Sequence, residues 1–412
     1  MNWFAGVALA LILAKLAAEL WLAALNRRHV LAHGDRVPDG FKDTVDETTY
    51  AKSVQYTLAR SRFWQYSEIF STVILIAVLF SGILPWGFKF FYQPDSEFFW
   101  KIAAFPLAVW IALWLPTMPW GWVNQFRLEE KFGFNTTTQK TWWLDRVKGL
   151  LLGFVLGYGL VMVVIVVVQM TGDYWWLWAW GTFMVIQLLM AVIGPLIILP
   201  LFNKFTPLPE GTLHERLKQL AERTQFRARR IQVMDASRRS RHSNAFFIGI
   251  GKFRKIVLYD TLIAQLSEPE LEAVLAHEIG HYKKKHIPKM LITSAIGLFL
   301  AFYALAWLAR QEWFYRGFGF EPGGIVPALV LFVLLADTIT FWLSPVLHAW
   351  SRRYEYQADA YAANVMNEPR SMIGALRKLS EKNLSNLTPH PLYSGFYYSH
   401  PTLLERERAL AT

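Results

Sequence analysis

The sequence predicts a mainly α, polytopic membrane protein with seven transmembrane helices and a folded polar part split into two segments. Three observations point to this class. The 412-residue chain is 54% hydrophobic and 16% aromatic but only 18% charged, with a positive mean hydropathy, which favours a membrane class over a soluble multidomain one. Seven apolar runs each reach the roughly 20 residues that cross a bilayer. Two long polar segments, 203–289 and 350–412, carry the helix and strand signals of a folded domain.

The runs cover approximately 3–25, 66–86, 100–120, 149–170, 174–199, 290–309 and 325–348. The first has the length of a signal peptide. No basic stretch precedes it, Lys15 and Glu19 lie inside it, and no A-x-A-like site precedes Arg27-Arg28. It is therefore expected to be a retained helix. Lys15 and Glu19 are four apart and share a helix face, so they either pair away from lipid or snorkel towards the interface.

The connections set the orientation. Segment 26–65 carries Arg27, Arg28, Arg36, Lys42, Lys52, Arg60 and Arg62, and segment 121–148 carries Arg127, Lys131, Lys140, Arg146 and Lys148. The alternate connections are poor in such residues. The positive-inside rule then places the N-terminus outside and the C-terminus in the cytoplasm, together with both polar segments. The net charge of +11 belongs to this topology. No basic helix is interleaved with stacking aromatics, so no nucleic-acid partner is expected. Cysteine is absent, which excludes disulfides, Cys-based metal sites and thiol catalysis.

The chain divides into membrane helices one to five (1–202), a first polar segment (203–289), helices six and seven (290–349) and a second polar segment (350–412). In the first polar segment, "LHERLKQLAERTQF" has helical periodicity. "RIQVMDASRRSRHSNAFFIGIGKFRKIVLYDTLI" reads as strands closing on a hairpin at Gly249-Ile250-Gly251. "LSEPELEAVLAHEIGHYKKKH" opens a helix with Ser267 and Glu270 in capping-box spacing, and Pro269 is tolerated in its first turn.

On that last helix His277 and His281 are four apart and project from one face. Two imidazoles one turn apart can reach a single zinc ion, and Glu278 beside them can accept a proton from an attacking water. HExxH arises by accident in roughly one such chain in a hundred, so a third ligand has to be found. The extended motif with a third histidine requires Gly at 284 and His at 287, where this chain has Lys284 and Ile287. His286, five residues beyond His281, is expected to be a solvated neighbour of the lysines. The better candidates are Glu355 and Asp359 in "SRRYEYQADAYAANVM", four apart on a predicted helix after the last span. One can bind zinc while the other hydrogen-bonds a ligand imidazole and fixes its tautomer.

HEIGH followed by "SRRYEYQADAYA", with "RHSNAFFIGIGKFRKIVLYDTL" upstream and "SHPTLLERERAL" at the end, resembles the integral-membrane CAAX prenyl protease 1 family. "LEEKFGFNTTTQKTWWLDRVKG" and "PLIILPLFNKFTPLPEGTL" extend the resemblance into the membrane half. It implies that His277, His281 and Glu355 hold one Zn2+ per chain, that Glu278 is the general base and that Asp359 orients a ligand histidine. It also implies that Asn244, with Ala245 and Phe246, lies at the substrate-binding edge strand. His400 would stabilise the oxyanion, and Arg406 would follow it on the terminal helix. The implied fold is a barrel of seven spanning helices around a hydrated chamber, with a zinc metalloprotease domain on the cytoplasmic side. The implied substrates are prenylated proteins ending in a CAAX sequence.

Three functions are carried forward. The leading one is an integral-membrane zinc endopeptidase whose partners are a peptide or protein substrate, prenylated or not, and the lipid bilayer; a monomer satisfies the sequence. The second keeps the chemistry but assigns it to membrane-protein quality control. Short loops and the chain end at Thr412 lean towards a bacterial inner membrane over an endoplasmic reticulum. The third is a metal-regulated seven-helix transporter, for which Asp337 and Gln187 supply intramembrane polar residues, although no paired broken helices are visible.

Overall fold

The computed structural model describes residues 2–92, 99–226, 230–248 and 255–411. Helix α1 (Trp3–Ala32) starts at Asn2, whose side chain accepts from the Ala5 N–H, and runs past the expected limit of 25. Helix α2 (Glu47–Phe80) is capped by Asp46, which accepts from the Thr49 N–H. It stops short of residue 86 because Gly82, at φ +80°, turns the chain into the short α3 (Ile83–Phe91). The polar first half of α2 lies inside the expected connection 26–65. Tertiary packing holds it there: Tyr56 is buried with its ring 4.9 Å from Phe132 and 5.1 Å from Phe134, contacts that a hydropathy pattern does not carry.

Helix α4 (Phe99–Val123) continues through a wide helical turn at Asn124–Glu129. Helix α5 (Gln139–Thr171) is capped by Thr138, and its end passes through Gly172, at φ +56°, and a short tight turn into α6 (Trp175–Ile193). Six helical stretches among the described residues are long and apolar enough to cross a membrane, where the sequence reading has seven. The difference lies in one 64-residue stretch, Gln139–Phe202, which contains both α5 and α6. Buried apolar side chains join the membrane helices into one core, among them Ile12, Leu79, Phe105, Ile165, Trp175, Phe302 and Leu331.

The polar segment then supplies β1 (Phe205–Pro207), α7 (Thr212–Arg223), β2 (Arg230–Met234), β3 (Ala245–Ile248), β4 (Lys255–Tyr259), α8 (Asp260–Gln265) and α9 (Glu268–Lys283). The strands form one sheet in the order β1-β2-β4-β3. β3 and β4 pair antiparallel as the expected hairpin, and its turn at Gly249-Ile250-Gly251 lies outside the described residues. β2 runs parallel to β4, and the three-residue β1 is antiparallel to β2. A strand as short as β1 leaves no alternation for a sequence reading to detect. β3 is thus an edge strand. The sheet packs on α7 and α9 through Leu217, Leu220, Ile256, Leu258, Leu271 and Ile279, each worth about 1.5–3 kcal/mol of burial. Arg239 ties this domain to the membrane helices, donating from Nε and Nη2 to Asp145 of α5 at 2.8 and 3.0 Å.

Helix α10 (His286–Leu308) re-enters the membrane region and α11 (Ile325–Met366) follows it. At 1.5 Å per residue, 42 residues extend about 63 Å, roughly twice a hydrocarbon core. The expected boundary at residues 349 and 350 is therefore no break, because one continuous helix forms the last apolar span and carries Glu355 beyond it. Helices α12 (Arg370–Lys382), α13 (Pro391–Tyr397) and α14 (Leu403–Ala411) complete the chain.

Candidate metal centre

The centre forms where α9 crosses α11. Helix α9 starts where the sequence places it, with Ser267 donating from its backbone N–H and its hydroxyl to Glu270 Oε2, both at 2.7 Å. Lys378 of α12 donates to the same oxygen at 2.7 Å. Gly280 of HEIGH sets the crossing distance. A Cβ there would stand 3.0 Å from Ala358 Cα and 3.1 Å from its carbonyl oxygen, so any side chain at 280 would push α11 back by a few tenths of an ångström. The close approach presents Glu355 to the two imidazoles.

Among the described residues, His277, His281 and Glu355 form a group of possible metal ligands with their donor atoms within 4.8 Å of one another. The two Nε2 atoms are 3.1 Å apart, and each is 3.4 Å from an oxygen of Glu355. Ligands bound at roughly 2.0–2.1 Å to one tetrahedral ion stand about 3.3–3.4 Å apart. Glu355 Oε2 is buried and accepts no hydrogen bond, so a donor atom is left facing the space between the three. Geometry and donor chemistry both fit a divalent cation.

The two imidazoles are held differently. Nδ1 of His277 donates to Asp359 Oδ1 at 2.8 Å. Arg406 of α14 clamps that carboxylate, donating from Nε to Oδ2 at 2.7 Å and from Nη2 to Oδ1 at 2.5 Å. Nδ1 of His281 instead meets Nδ1 of His286 at 3.0 Å, and His286 Nε2 meets Gln357 Oε1 at 2.9 Å. His286 is therefore not the solvated neighbour of lysines that its spacing suggests. It is 1% exposed and stacks on Tyr354 with centroids 4.2 Å apart. The reason is the backbone: Lys285 adopts φ +58° between α9 and α10 and turns His286 back onto α11. Gln357, two residues after Glu355 and on a different face of α11, has no sequence signal of its own.

Burial and charge set the protonation of the metal-free centre. Burial opposes charge on His277, yet its hydrogen bond to Asp359 and the Glu355 carboxylate 3.4 Å away lift it to about 9. Burial and the neighbouring His277 charge bring His281 down to about 4. Burial raises Glu278 to about 7. His400 Nε2 stands 3.4 Å from Glu355 Oε1, and burial lowers its pKa. Asn244 precedes β3, where its side-chain oxygen accepts from the Ala245 N–H at 2.8 Å and its carbonyl from the Tyr259 N–H at 3.1 Å. Ala245 is buried against the α9 side of the sheet. Phe246 packs on the other face with Tyr259.

A metal centre of this type on a polytopic helical bundle defines a class, the integral-membrane metalloproteases. Residues 26–204 match the profile of the CAAX prenyl protease N-terminal region, described as five membrane helices, and residues 207–412 match Peptidase family M48. CAAX prenyl protease 1 of Saccharomyces cerevisiae is 34% identical, over 91% of this chain and 88% of that protein. A homologue from Oryza sativa is 35% identical over 93% and 92%, and one from Homo sapiens 30% over 98% and 95%. The crystal structure of S. mikatae Ste24p superposes with a TM-score of 0.92 at 31% identity, covering 100% of this chain and 99% of that one. The chain belongs to the CAAX prenyl protease 1 family of M48 peptidases. It is a multi-pass membrane metalloprotease, which sets aside the transporter reading.

Proposed function

We propose that the protein is a zinc endopeptidase that removes the C-terminal tripeptide of prenylated CAAX substrates, with His277, His281 and Glu355 as ligands. The convergence of these three residues from α9 and α11 carries the reading, and two imidazoles with a carboxylate suit zinc. A zinc ion held by these three residues would lower the pKa of a water to about 7 and polarise a scissile carbonyl. Glu278 accepts the proton of the attacking water and delivers it to the leaving amine, a task suited to a carboxyl near 7. His400 donates to the carbonyl oxygen as it becomes an oxyanion. Asp359 holds the His277 ring, and Arg406 holds Asp359.

The substrate lies along β3 as an added strand. Tyr259 donates to Asn244, and antiparallel pairs alternate. The backbone groups of Ala245 and Phe247 therefore face the open edge, with those of Phe246 turned to β4. Asn244 occupies the Ala245 N–H, which leaves the Ala245 carbonyl and the Phe247 amide for a peptide.

The bundle crosses the membrane seven times around a hydrated chamber, the stretch Gln139–Phe202 crossing twice through the reversal at Gly172. Asp337 lies well inside an apolar span, pairs with Lys15 at 2.6 Å and is 73% exposed. A carboxylate facing lipid is costly, so this exposure supports water on that face. A cavity of about 500 Å³ is lined by Glu19, Arg60, Glu68 and Tyr397, away from the metal ligands. Its wall also includes His242 and Tyr398, each two residues from a site position, Asn244 and His400. A farnesyl group gains about 0.8 kcal/mol for each methylene-sized unit it buries in apolar wall.

Cleavage of a farnesylated CAAX peptide, mapped by mass spectrometry, tests the activity. Cutting should follow the prenylated cysteine, and Glu278→Gln should lower the rate by about 10²–10⁴ with zinc retained. Unchanged cleavage by that variant would sink the mechanism; cleavage of unprenylated peptides alone would sink the substrate class. Since the chain has no cysteine, Asp337→Cys should be labelled by a water-soluble thiol reagent. A cysteine there that reacts only with lipid-soluble reagents removes the chamber.

A further inference from the structure

His286, which is buried, and Gln357, an exposed residue of α11 that bonds to it, are polar groups that the reaction above leaves unused. The hydrogen-bond chain runs from His281 Nδ1 to His286 Nδ1 at 3.0 Å and from His286 Nε2 to Gln357 Oε1 at 2.9 Å. Two facing ring nitrogens bond only if one carries the proton and the other accepts it. With the Gln357 oxygen turned towards it, His286 carries its proton on Nε2, which leaves Nδ1 as an acceptor. His281 must then be protonated on Nδ1, and its Nε2 lone pair faces His277 and Glu355. The reversed set would put a proton on Nε2 of His281, the atom that closes the metal site. Only one of the two tautomer sets is compatible with a cation.

We infer that His286 and Gln357 are positioning residues that hold His281 in its metal-binding tautomer through an uncharged His–Gln chain. The inference rests on the zinc reading above. It assigns a role to a histidine five residues after the motif, and it explains why a ring next to three lysines is 1% exposed. The usual partner of a ligand imidazole is a carboxylate or a carbonyl. Here a neutral ring takes that place, and a single amide at the far end sets its polarity.

Zinc affinity of the purified full-length protein, measured by chelator competition, tests this without recourse to activity. The decisive pair separates the acceptor from the packing. His286→Asn places an amide oxygen near the Nδ1 position and gives up the stacking on Tyr354, whereas His286→Phe keeps the stacking and has no acceptor. We expect the Asn variant to stay within a few-fold of wild type and the Phe variant to lose about 10–100-fold. Gln357→Glu should hold zinc, and Gln357→Leu, which fits the same space, should weaken it in the same direction as Phe. Wild-type affinity in His286→Phe overturns the inference, as does an equal loss in the Asn and Phe variants. Should His286→Phe fail to fold, Gln357→Leu decides: undiminished affinity there overturns it too. A wild-type protein that binds no zinc is a different failure, since it removes the zinc reading itself.

Discussion

His277 and His281 stand one turn apart on the same helix, yet the protein holds them by opposite means. His277 leans on an ionic pair, Asp359 and Arg406, both largely buried. His281 leans on a neutral ring and an amide. The protonation states follow: His277 is lifted to about 9 while His281 falls to about 4. Two adjacent imidazolium ions would repel each other in a buried site, so only one of the pair can have a charged partner. The lesson is that a symmetric motif is made asymmetric by the elements that fold onto it. The charged support comes from α11 and α14, the neutral one from the first residue of α10 and from α11.

This contrast can be broken from its ionic side with the largest effect. Asp359→Ala leaves the Arg406 guanidinium buried without its partner, which costs about 3–5 kcal/mol. Thermal unfolding of the metal-free protein should show the corresponding loss, and a variant as stable as wild type would mean the pair is not a structural support. On the neutral side His286→Phe keeps the ring stacking, so its cost in the same experiment should be smaller, about 1–2 kcal/mol. Equal losses from the two variants would erase the distinction.

The smallest effect is a proton count. At pH 7 His277 (about 9) is protonated and His281 (about 4) is neutral in the metal-free protein. Zinc needs both Nε2 lone pairs, so binding should release about one proton from the histidines at pH 7. That release should fade as pH rises through about 9. Glu278, near 7, adds at most a fraction. Calorimetry in buffers of different ionisation enthalpy reads this, and Asp359→Asn should lower the histidine share. The sign for stability agrees. A folded pKa above the unfolded 6.5 contributes stability that is complete below about pH 6.5 and lost as pH rises through about 9.

Much of the architecture was legible in the chain because lipid demands long apolar runs and a helix start demands a cap. The apolar runs, the Ser267–Glu270 start of α9 and the β3–β4 hairpin all have local causes. Other features were not legible. The polar half of α2 is helical because Tyr56 finds Phe132 and Phe134, more than seventy residues away. The strand β1 exists because β2 is there to pair with it. The burial of His286 was not legible because its spacing from His281 describes a continuous helix, whereas α9 ends at Lys283 and Lys285, at φ +58°, turns the chain.

At the centre the division between sequence and structure is clean. HEIGH by itself determined that two imidazoles share a helix face with a carboxylate beside them, since the helical period fixes that at any helix position. The family pattern singled out Glu355 ahead of Asp359, a choice their spacing left open. What only the tertiary structure decided is how these groups are held: Gly280 against Ala358 for the approach, Asp359 and Arg406 on one ring, His286 and Gln357 on the other. Periodicity acts along one helix, whereas proton positions and pKa values are set by groups from other helices, and only the fold brings those to within 3 Å.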